Sequence, residues 1–374
     1  RSSSGSSSFC ESRCFERNFC VTVARVQPRS SGHALAARST MMHPHDEQDL
    51  LMLIENKLSS GETLTPDERL AYSLDRKAKL IQAQREAHAL GRRKDWFVAR
   101  PATQSFCGLV NEGATCYLNS LLQALFALPD VRRIIYEYDH DASMHGSAAN
   151  CVPLQLGAIF ARLQLSSCRA VPTRALTNSF GWSRADSFMQ HDVQELMRVL
   201  FDNLAQCGVA VEERCFRGSL RSTLRCLKCG HERSRSEPFT DIQLSAQGAS
   251  SLEECLQHYC MAERLDGENA WRCDACEERV PALKGVHLGN LPKVMVMQCK
   301  RYSYDMMTGR RTKLHHAVHF PQRIDLSPYT RMITADDPDT PDEDADGDSN
   351  ALVYECTGAL LHEGEAEQGH YTAL

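Results

Sequence analysis

The sequence predicts an α+β fold in which a helical N-terminal extension precedes a larger domain of mixed helices and strands. Three observations support this fold class. Residues 46–95 place apolar side chains at helical spacing. From Phe106 onward, short apolar segments typical of strands are separated by glycine-containing turns. Within the same region, Cys116 is followed by a pronounced apolar helical face that ends near Pro129.

The charge and hydropathy of the chain argue against two classes of protein. The chain carries 42 Lys and Arg against 48 Asp and Glu, which gives a formal net charge of −6. This balance argues against a nucleic-acid binder that depends on a basic surface. The sequence has no run of about 18 apolar residues, which argues against a membrane-spanning helix. We therefore expect neither a nucleic-acid nor a membrane partner.

The cysteine content indicates an intracellular protein. The chain of 374 residues has 17 cysteines, an odd number. Cysteines this sparse and irregular do not fit a secreted disulfide scaffold. We therefore expect reduced thiols and a cytoplasmic or nuclear location. Some of these thiols are then candidates for metal ligands, and one is a candidate nucleophile.

The N-terminal 100 residues divide into two predicted segments. Residues 1–45 are predicted to be a disordered tail, because ten serines and six arginines but only two acids occur in the first 40 positions. A transit peptide has the same composition and stays open as an alternative. Residues 46–100 are predicted to be a helical extension, restarted after a break by Thr65 as N-cap and Pro66 as first helical residue.

Cys116 is the candidate nucleophile. It stands directly before the predicted buried helix, and the N-terminus of a helix favours negative charge and hence the reactive thiolate. Asn111, five residues upstream, can direct its side-chain amide to the same place. A donor aimed at a developing oxyanion is worth about 3 kcal/mol in the transition state. Taken alone, however, the pattern also fits a buried cysteine that only begins a helix.

A cysteine nucleophile requires a base, and His370 is the candidate among 15 histidines. It follows an alternating, strand-like segment at residues 352–361. Gly369, next to it, permits close approach of backbone or substrate. Considered alone, this residue also fits an ordinary surface histidine.

Two paired cysteines predict a metal site. The pattern Cys226-x-x-Cys229 and Cys273-x-x-Cys276 supplies four thiolates, which suit a closed tetrahedral zinc site. The 43 residues between the pairs exceed the usual spacing of about 15–20, so the intervening segment must fold back on itself. Four protein ligands leave no open position, which favours structural over catalytic zinc. Four thiols without metal are the alternative.

The motifs around Cys116 and His370 together resemble the ubiquitin-specific proteases, a family of thiol proteases. Asn111-x-Gly113-x-Thr115-Cys116 is similar to the family's cysteine box, and Gly369-His370-Tyr371 is similar to its histidine box. Further blocks that resemble the family occur between them in the family's order, at 179–182, 186–196, 297–302 and 319–321. The resemblance covers residues 106–374. The retained zinc cysteines and the acidic insertion further favour one subgroup of the family.

The resemblance implies a papain-like core described as fingers, palm and thumb, with the zinc ribbon at the tip of the fingers. It also implies hydrolysis of the isopeptide or peptide bond after the C-terminal glycine of ubiquitin. Cys116 would attack the carbonyl, His370 would take and return the proton, and Asn111 would support the oxyanion. The implied partners are ubiquitin and ubiquitinated proteins, bound by a monomeric catalytic domain.

The resemblance also implies three substrate contacts. Gln190 and Asp192 occupy positions that hold the extended tail of ubiquitin, whose arginines are direct electrostatic partners for a carboxylate. Tyr371 would line the narrow channel that admits only glycines. The acids near Asp192 also fit the ordinary solvated face of a helix predicted over residues 186–204.

The chain departs from the family pattern near its end. The family's third catalytic residue, an Asn or Asp, would lie beyond Leu374, so we expect the catalytic domain at 105–374 to be incomplete at its C-terminus. Residues 335–350 are predicted to be a disordered acidic insertion, because eight acids fall within residues 335–348. A catalytically incompetent, ubiquitin-binding pseudoprotease is therefore the alternative function.

Overall fold

The computed structural model describes residues 13–15, 18–25, 106–140, 146–166, 168–182, 192–305, 307, 310–331, 352–364 and 369–374. Three predicted features lie outside these residues: the helical extension at 46–100, the acidic insertion at 335–350 and the substrate residue Gln190.

Helices and strands are numbered in chain order. The α-helices are α1 (Cys116–Ala127), α2 (Pro129–Glu137), α3 (Val152–Leu165), α4 (Arg174–Ser179), α5 (Val193–Gln206) and α6 (Leu252–Cys260). The first strands are β1 (Arg13–Phe15), β2 (Asn18–Arg25), β3 (Gly108–Leu109), β4 (Ala170–Val171), β5 (Gly218–Cys226), β6 (Glu232–Phe239), β7 (Ile242–Ser245), β8 (Glu263–Leu265) and β9 (Trp271–Arg272). The remaining strands are β10 (Arg279–Val280), β11 (Ala282–Leu288), β12 (Val294–Lys300), β13 (Tyr302–Asp305), β14 (Arg310–Lys313), β15 (Val318–Phe320), β16 (Arg323–Asp325), β17 (Val353–Gly364) and β18 (Gly369–Ala373).

The chain forms two compact units. A helical unit comes from residues 29–211, and a β-rich unit combines residues 1–28 with residues 212–374. The helical unit contains α1 to α5 and the short parallel pair of β3 and β4. The β-rich unit contains α6 and the other strands. Helices and strands are thus both present in the domain that begins near Phe106, which confirms the α+β class.

The helical unit is built around α1 and α3. The apolar face predicted after Cys116 is buried, with Leu118 1% and Leu122 0% exposed. α1 contacts α2 and α5, while α3 contacts α2, α4 and α5. Phe126 of α1 and Phe160 of α3 bring their ring centroids to 5.6 Å. Each fully buried side chain of this size contributes about 1.5–3 kcal/mol, so the packed face fixes α1 firmly in the unit.

Pro129 separates α1 from α2. The sequence predicted that it would end the first helix, and α1 does end at Ala127. Pro129 is also the first residue of α2, where its missing N–H group costs nothing because the first turn leaves that donor without an intrahelical partner.

The main sheet of the β-rich unit has the strand order β16-β17-β2-β12-β7, and β18 pairs with the far end of β17. β7 and β12 are parallel, whereas the other pairs are antiparallel. α6 packs against β7, β11 and β15, and its buried face joins a core that includes Met295, Met297 and Tyr354. This sheet carries His370 on β18.

Strand β2 lies within residues 1–45, which the sequence predicted to be a disordered tail. Residues 18–25 pair with β17 on one side and with β12 on the other. The segment contains Phe19 and the run Val21-Thr22-Val23, which are residue types that favour strands. The serine- and arginine-rich composition of the surrounding 40 residues concealed this short signal.

A second sheet of four strands has the order β6-β5-β11-β8, all antiparallel. The short antiparallel pair of β9 and β10 lies between β8 and β11 in the chain. The end of β5 carries Cys226, and Cys273 follows β9 directly. The 43 residues between the cysteine pairs do fold back, as the spacing required.

Within the described part of the chain, none of the helices combines the length and the apolar character needed to cross a lipid bilayer.

Candidate active site and metal centre

Cys116 is the first residue of α1 and is buried, with 6% of its surface exposed. The loop that precedes it is anchored at its start by the pairing of β3 with β4. α1 is anchored by the apolar face that packs into the helical unit. The thiol therefore lies at the N-terminus of a fixed helix, as the sequence predicted, and the helix dipole there favours negative charge.

Asn111 is tied to Thr115 by two hydrogen bonds. The backbone N–H of Thr115 donates to Asn111 Oδ1 at 3.2 Å, and the Thr115 hydroxyl donates to the same oxygen at 3.0 Å. Thr115 Oγ1 in turn accepts a hydrogen bond from the Glu112 backbone N–H at 3.0 Å. Asn111 is exposed, whereas Thr115 is fully buried. The candidate oxyanion donor is thus held by the residue directly before Cys116.

Three further side chains fix the loop before Cys116. Asn119 Nδ2 donates to the carbonyl of Val110 at 3.2 Å, and Gln123 Nε2 donates to the carbonyl of Cys107 at 3.2 Å. Arg174 Nε donates to Glu112 Oε2 at 2.7 Å, which links the loop to the start of α4. The sequence did not predict these contacts, because they depend on the path of the loop rather than on residue spacing.

His370 is the second residue of β18 and is exposed. In the antiparallel pairing of β17 with β18, Glu363 lies opposite His370, and His362 lies opposite Tyr371. The rings of His362 and Tyr371 meet at 4.7 Å with an interplanar angle of 52°. His370 and Tyr371 therefore stand on a sheet strand of fixed register, following the strand that the alternating pattern predicted.

Lys313 supports the end of the strand opposite His370. Its side chain is buried, and Nζ donates to the carbonyl of His362 at 3.4 Å and to the carbonyl of Gly364. A buried ammonium group requires such oxygen partners to offset the loss of hydration. Lys313 thus connects β14 to the segment of β17 that pairs with Gly369 and His370.

Gly369 is required by close packing rather than by a turn. A Cβ atom at this position would lie 2.1 Å from His362 Nε2 and 2.3 Å from the Glu363 carbonyl oxygen. We expect Gly369→Ala to displace β18 from β17 and to destabilise the protein by about 1–3 kcal/mol. Hydrogen exchange of the β18 amides and urea unfolding measure both effects. Gly108→Ala is the matched control, since the nearest atom to its Cβ is 3.5 Å away; an equal loss in the two variants would refute the steric explanation.

The predicted site residues fall in both units. Cys116 and Asn111 belong to the helical unit, and so does Asp192, while His370 and Tyr371 belong to the β-rich unit. Each group has a defined geometry within its own unit. Their assembly into one active site remains a prediction of the sequence.

Asp192 caps the N-terminus of α5. Its Oδ1 accepts hydrogen bonds from the backbone N–H groups of Gln194 at 2.7 Å and Glu195 at 3.4 Å. Aspartate is among the residues most favoured at the N-cap, because its carboxylate accepts hydrogen bonds from backbone N–H groups of the first turn and complements the helix dipole. The sequence predicted a helix over residues 186–204; the described helix begins at Val193, directly after its cap.

The four predicted metal ligands converge. The Sγ atoms of Cys226, Cys229, Cys273 and Cys276 all lie within 4.8 Å of one another. The distances are 3.9 Å from Cys226 to Cys276 and 3.7 Å from Cys229 to Cys273. A tetrahedral metal bonded to sulfur at about 2.3 Å requires sulfur separations of about 3.8 Å. The cluster can therefore hold a metal ion.

Each cysteine pair lies in a turn. In the first turn, two backbone N–H groups donate to the sulfur of Cys226. The backbone N–H groups of Lys228 and Cys229 both donate to Cys226 Sγ at 3.4 Å. Burial raises the pKa of the Cys226 thiol, but these backbone donors and the hydrogen bonds with the Cys229 and Cys273 thiols together outweigh burial and lower the pKa to about 7. Gly230 closes the first turn at φ +74°, and Glu277 adopts φ +57° in the second. The first turn thus directs two backbone donors at the sulfur of Cys226.

Contacts outside the cluster join the two turns. Lys228 of the first turn forms an ion pair with Glu278, which follows the second cysteine pair. His231, which directly follows the first turn, stacks on Trp271 with ring centroids 6.3 Å apart and an interplanar angle of 4°. The converging donor set contains the four cysteines and not His231.

His287 on β11 makes stability sensitive to pH. It is 9% exposed, and its pKa is lowered by burial and then by the nearby Arg221, with Glu232 acting in the opposite direction. In the unfolded chain the pKa is about 6.5, so the unfolded state takes up the proton first as the pH falls. We expect the contribution of His287 to the free energy of unfolding to be constant above about pH 6.5 and to decrease below it. Urea unfolding of the native protein and of His287→Leu between about pH 7.5 and 5 isolates the effect; equal pH dependence in the two would contradict it.

A family model and several curated relatives match the chain. A family model described as ubiquitin carboxyl-terminal hydrolase matches residues 107–374. Ubiquitin carboxyl-terminal hydrolase 47 of Homo sapiens is 32% identical over 324 residues, which cover 72% of this chain and 23% of that protein. The protein of the same name from Xenopus tropicalis is 37% identical over 257 residues, covering 66% of this chain and 19% of that protein. Ubiquitin carboxyl-terminal hydrolase 15 of Saccharomyces cerevisiae is 38% identical over 277 residues, which cover 72% of this chain and 22% of that protein.

The matches agree with the predicted resemblance. The sequence motifs favoured the subgroup of ubiquitin carboxyl-terminal hydrolases 7 and 47, and hydrolase 47 is among the relatives found. The chain spans roughly a fifth of the length of these curated relatives. The family match includes both Cys116 and His370.

Proposed function

The chain belongs to the ubiquitin carboxyl-terminal hydrolase family, and from this premise we propose that it is a thiol protease that releases ubiquitin from its conjugates. The bond cleaved is the isopeptide or peptide bond after the C-terminal glycine of ubiquitin. The observation that carries the proposal is the continuous family match over residues 107–374, which includes a cysteine at a helix N-terminus and a histidine on a sheet strand.

Cys116 is proposed as the nucleophile. Its thiolate attacks the carbonyl carbon of the terminal glycine and forms a tetrahedral intermediate, which collapses to a thioester as the amine leaves. The position of Cys116 at the start of α1 supports this role, since the helix N-terminus stabilises the negative thiolate. Water then hydrolyses the thioester, which releases ubiquitin and restores the thiol.

His370 is proposed as the general base and acid. It takes the proton of Cys116 before attack and gives it to the leaving amine. It is exposed on β18, where its imidazole is accessible to reactants. This role requires the two units to bring His370 within hydrogen-bond reach of Cys116.

Asn111 is proposed as the oxyanion donor. The amide nitrogen is the donor end of this side chain, and its oxygen is occupied by Thr115. A donor preorganised in this way stabilises the tetrahedral intermediate more than the planar substrate.

The tail of ubiquitin is proposed to contact Gln190, Asp192 and Tyr371. Asp192 already accepts two N–H groups through Oδ1. Because a carboxylate has two oxygens and about four acceptor sites, capping α5 is compatible with binding an arginine of the tail. Tyr371 directly follows the proposed base in β18, and its ring packs against that of His362.

The four-cysteine cluster is proposed to bind zinc in the fingers region of a papain-like core. Four sulfur ligands with tetrahedral spacing suit zinc and leave no position for substrate, so the ion would be structural. Bound zinc would join the end of β5 to the segment between β9 and β10. We infer an intracellular location from the 17 cysteines of the chain, whose odd number and irregular spacing do not fit a secreted disulfide scaffold.

Hydrolysis of a fluorogenic amide at the C-terminus of ubiquitin tests the proposal. We expect turnover by the native protein and its loss in His370→Ala. We also expect no turnover of a short peptide amide with the same final residues, since the body of ubiquitin contributes to binding. Binding of ubiquitin without any turnover by the native protein would instead identify a pseudoprotease.

A further inference from the structure

We propose that Thr115 is a positioning residue for the proposed reaction: it fixes the side-chain amide of Asn111 so that the amide N–H faces the developing oxyanion. The inference rests on the proposed function and adds to it a residue that does not itself touch substrate.

The orientation of the Asn111 amide is set by its partners. A backbone N–H can only donate, so the atom of Asn111 that faces the Thr115 N–H at 3.2 Å is the oxygen. The NH₂ group must then point away from Thr115. The Thr115 hydroxyl donates to the same oxygen at 3.0 Å, which adds a second restraint on the same orientation.

Thr115 is itself fixed. Its side chain is fully buried, and its hydroxyl oxygen accepts the Glu112 N–H at 3.0 Å. This leaves the hydroxyl hydrogen for Asn111, since a hydroxyl has a single donor. Arg174 holds the side chain of Glu112 at 2.7 Å. The hydroxyl therefore cannot turn away from Asn111 without losing two hydrogen bonds.

The two residues differ sharply in exposure. Asn111 is exposed, and an exposed amide held by one hydrogen bond exchanges with water and rotates. Fixing its oxygen through a buried partner limits this rotation before substrate arrives. Preorganised donors need no reorganisation during the reaction, which is the basis of oxyanion stabilisation. The benefit should therefore appear in the chemical step and not in ubiquitin binding.

Thr115→Val and Thr115→Ser provide the test. Valine has nearly the shape of threonine but lacks the hydroxyl, so we expect kcat on the fluorogenic ubiquitin amide to fall about tenfold with KM nearly unchanged. Serine keeps the hydroxyl and should restore kcat to within about twofold. Thr177→Val is the matched control, because it removes a buried hydroxyl that donates to the Arg174 carbonyl at 3.0 Å in the same unit.

Ubiquitin aldehyde supplies a second measurement. A cysteine adds to the aldehyde to form a tetrahedral hemithioacetal, whose oxygen occupies the oxyanion position, whereas unmodified ubiquitin forms no such adduct. We expect Thr115→Val to weaken binding of the aldehyde about tenfold and to leave binding of unmodified ubiquitin unchanged. In an Asn111→Ala background, Thr115→Val should have no further effect on either quantity.

Three results would overturn the inference. They are an undiminished effect of Thr115→Val when Asn111 is alanine, an effect confined to KM, and a failure of Thr115→Ser to restore kcat. Native protein that neither hydrolyses the amide nor binds the aldehyde more tightly than ubiquitin would instead refute the proposed function, and the role of Thr115 with it. Active native protein with an unaffected Thr115→Val variant would refute the role of Thr115 alone.

Discussion

Substituting Cys116 by alanine is expected to lower the hydrolysis of ubiquitin conjugates by at least about 10⁴-fold, because the proposed thioester forms on the Cys116 sulfur. The substitution removes one sulfur atom from a site that is 6% exposed, and the apolar face of α1 remains intact. The fold, metal content and ubiquitin affinity should therefore be unchanged. Hydrolysis of a fluorogenic ubiquitin amide measures the loss of turnover. Calorimetry measures whether the affinity for ubiquitin is unchanged.

Cys107→Ala is the matched control for this prediction. Cys107 is also buried, at 4% exposure, and lies in the same loop region of the helical unit. Its substitution should leave turnover within a few-fold of the native rate. Persistent hydrolysis by Cys116→Ala, or equal loss in both variants, would rule out Cys116 as the nucleophile.

Removal of one metal ligand is the second change with a large expected effect. Cys273 is fully buried in the cluster, and a structural zinc site contributes an apparent binding free energy of about 10–16 kcal/mol. Cys273→Ser should abolish stoichiometric zinc binding and unfold the segment between β9 and β10. Metal analysis, together with hydrogen exchange of residues 226–230 and 273–280, measures both outcomes.

His231→Gln is the control for the metal site. His231 stacks on Trp271 and lies outside the set of four converging sulfur atoms. This variant should keep one zinc ion per chain and native protection at both turns. Loss of zinc in His231→Gln, or native protection in Cys273→Ser without metal, would contradict a closed four-cysteine site.

The parts of the site that the sequence revealed are those encoded by short-range spacing. The leucines after Cys116 recur at helical spacing, so both the helix and the position of Cys116 at its start were predictable. The two C-x-x-C pairs identified their own turns. The strand before His370 was predicted from alternation at 352–361 and is observed at Val353–Gly364.

The parts that the sequence did not reveal depend on distant partners. Strand β2 is stabilised by pairing with β17 and β12, which lie far away in the chain. The burial of the Lys313 side chain is explained by its hydrogen bonds to the carbonyls of His362 and Gly364, and no local sequence pattern connects these residues to Lys313. The hydroxyl of Thr115 has no evident role in the sequence, and its hydrogen bonds to Asn111 and Glu112 emerge only from the path of the loop.

Native mass spectrometry of the chain mixed with ubiquitin that carries a C-terminal electrophile tests the central claim most directly. The result expected is one covalently attached ubiquitin and one zinc ion per chain, with the adduct mapped to a peptide that contains Cys116. Cys116→Ala should keep the zinc and lose the adduct. A zinc-bound chain that forms no adduct, or an adduct on another cysteine, would contradict the assignment of Cys116 as the nucleophile of a ubiquitin hydrolase.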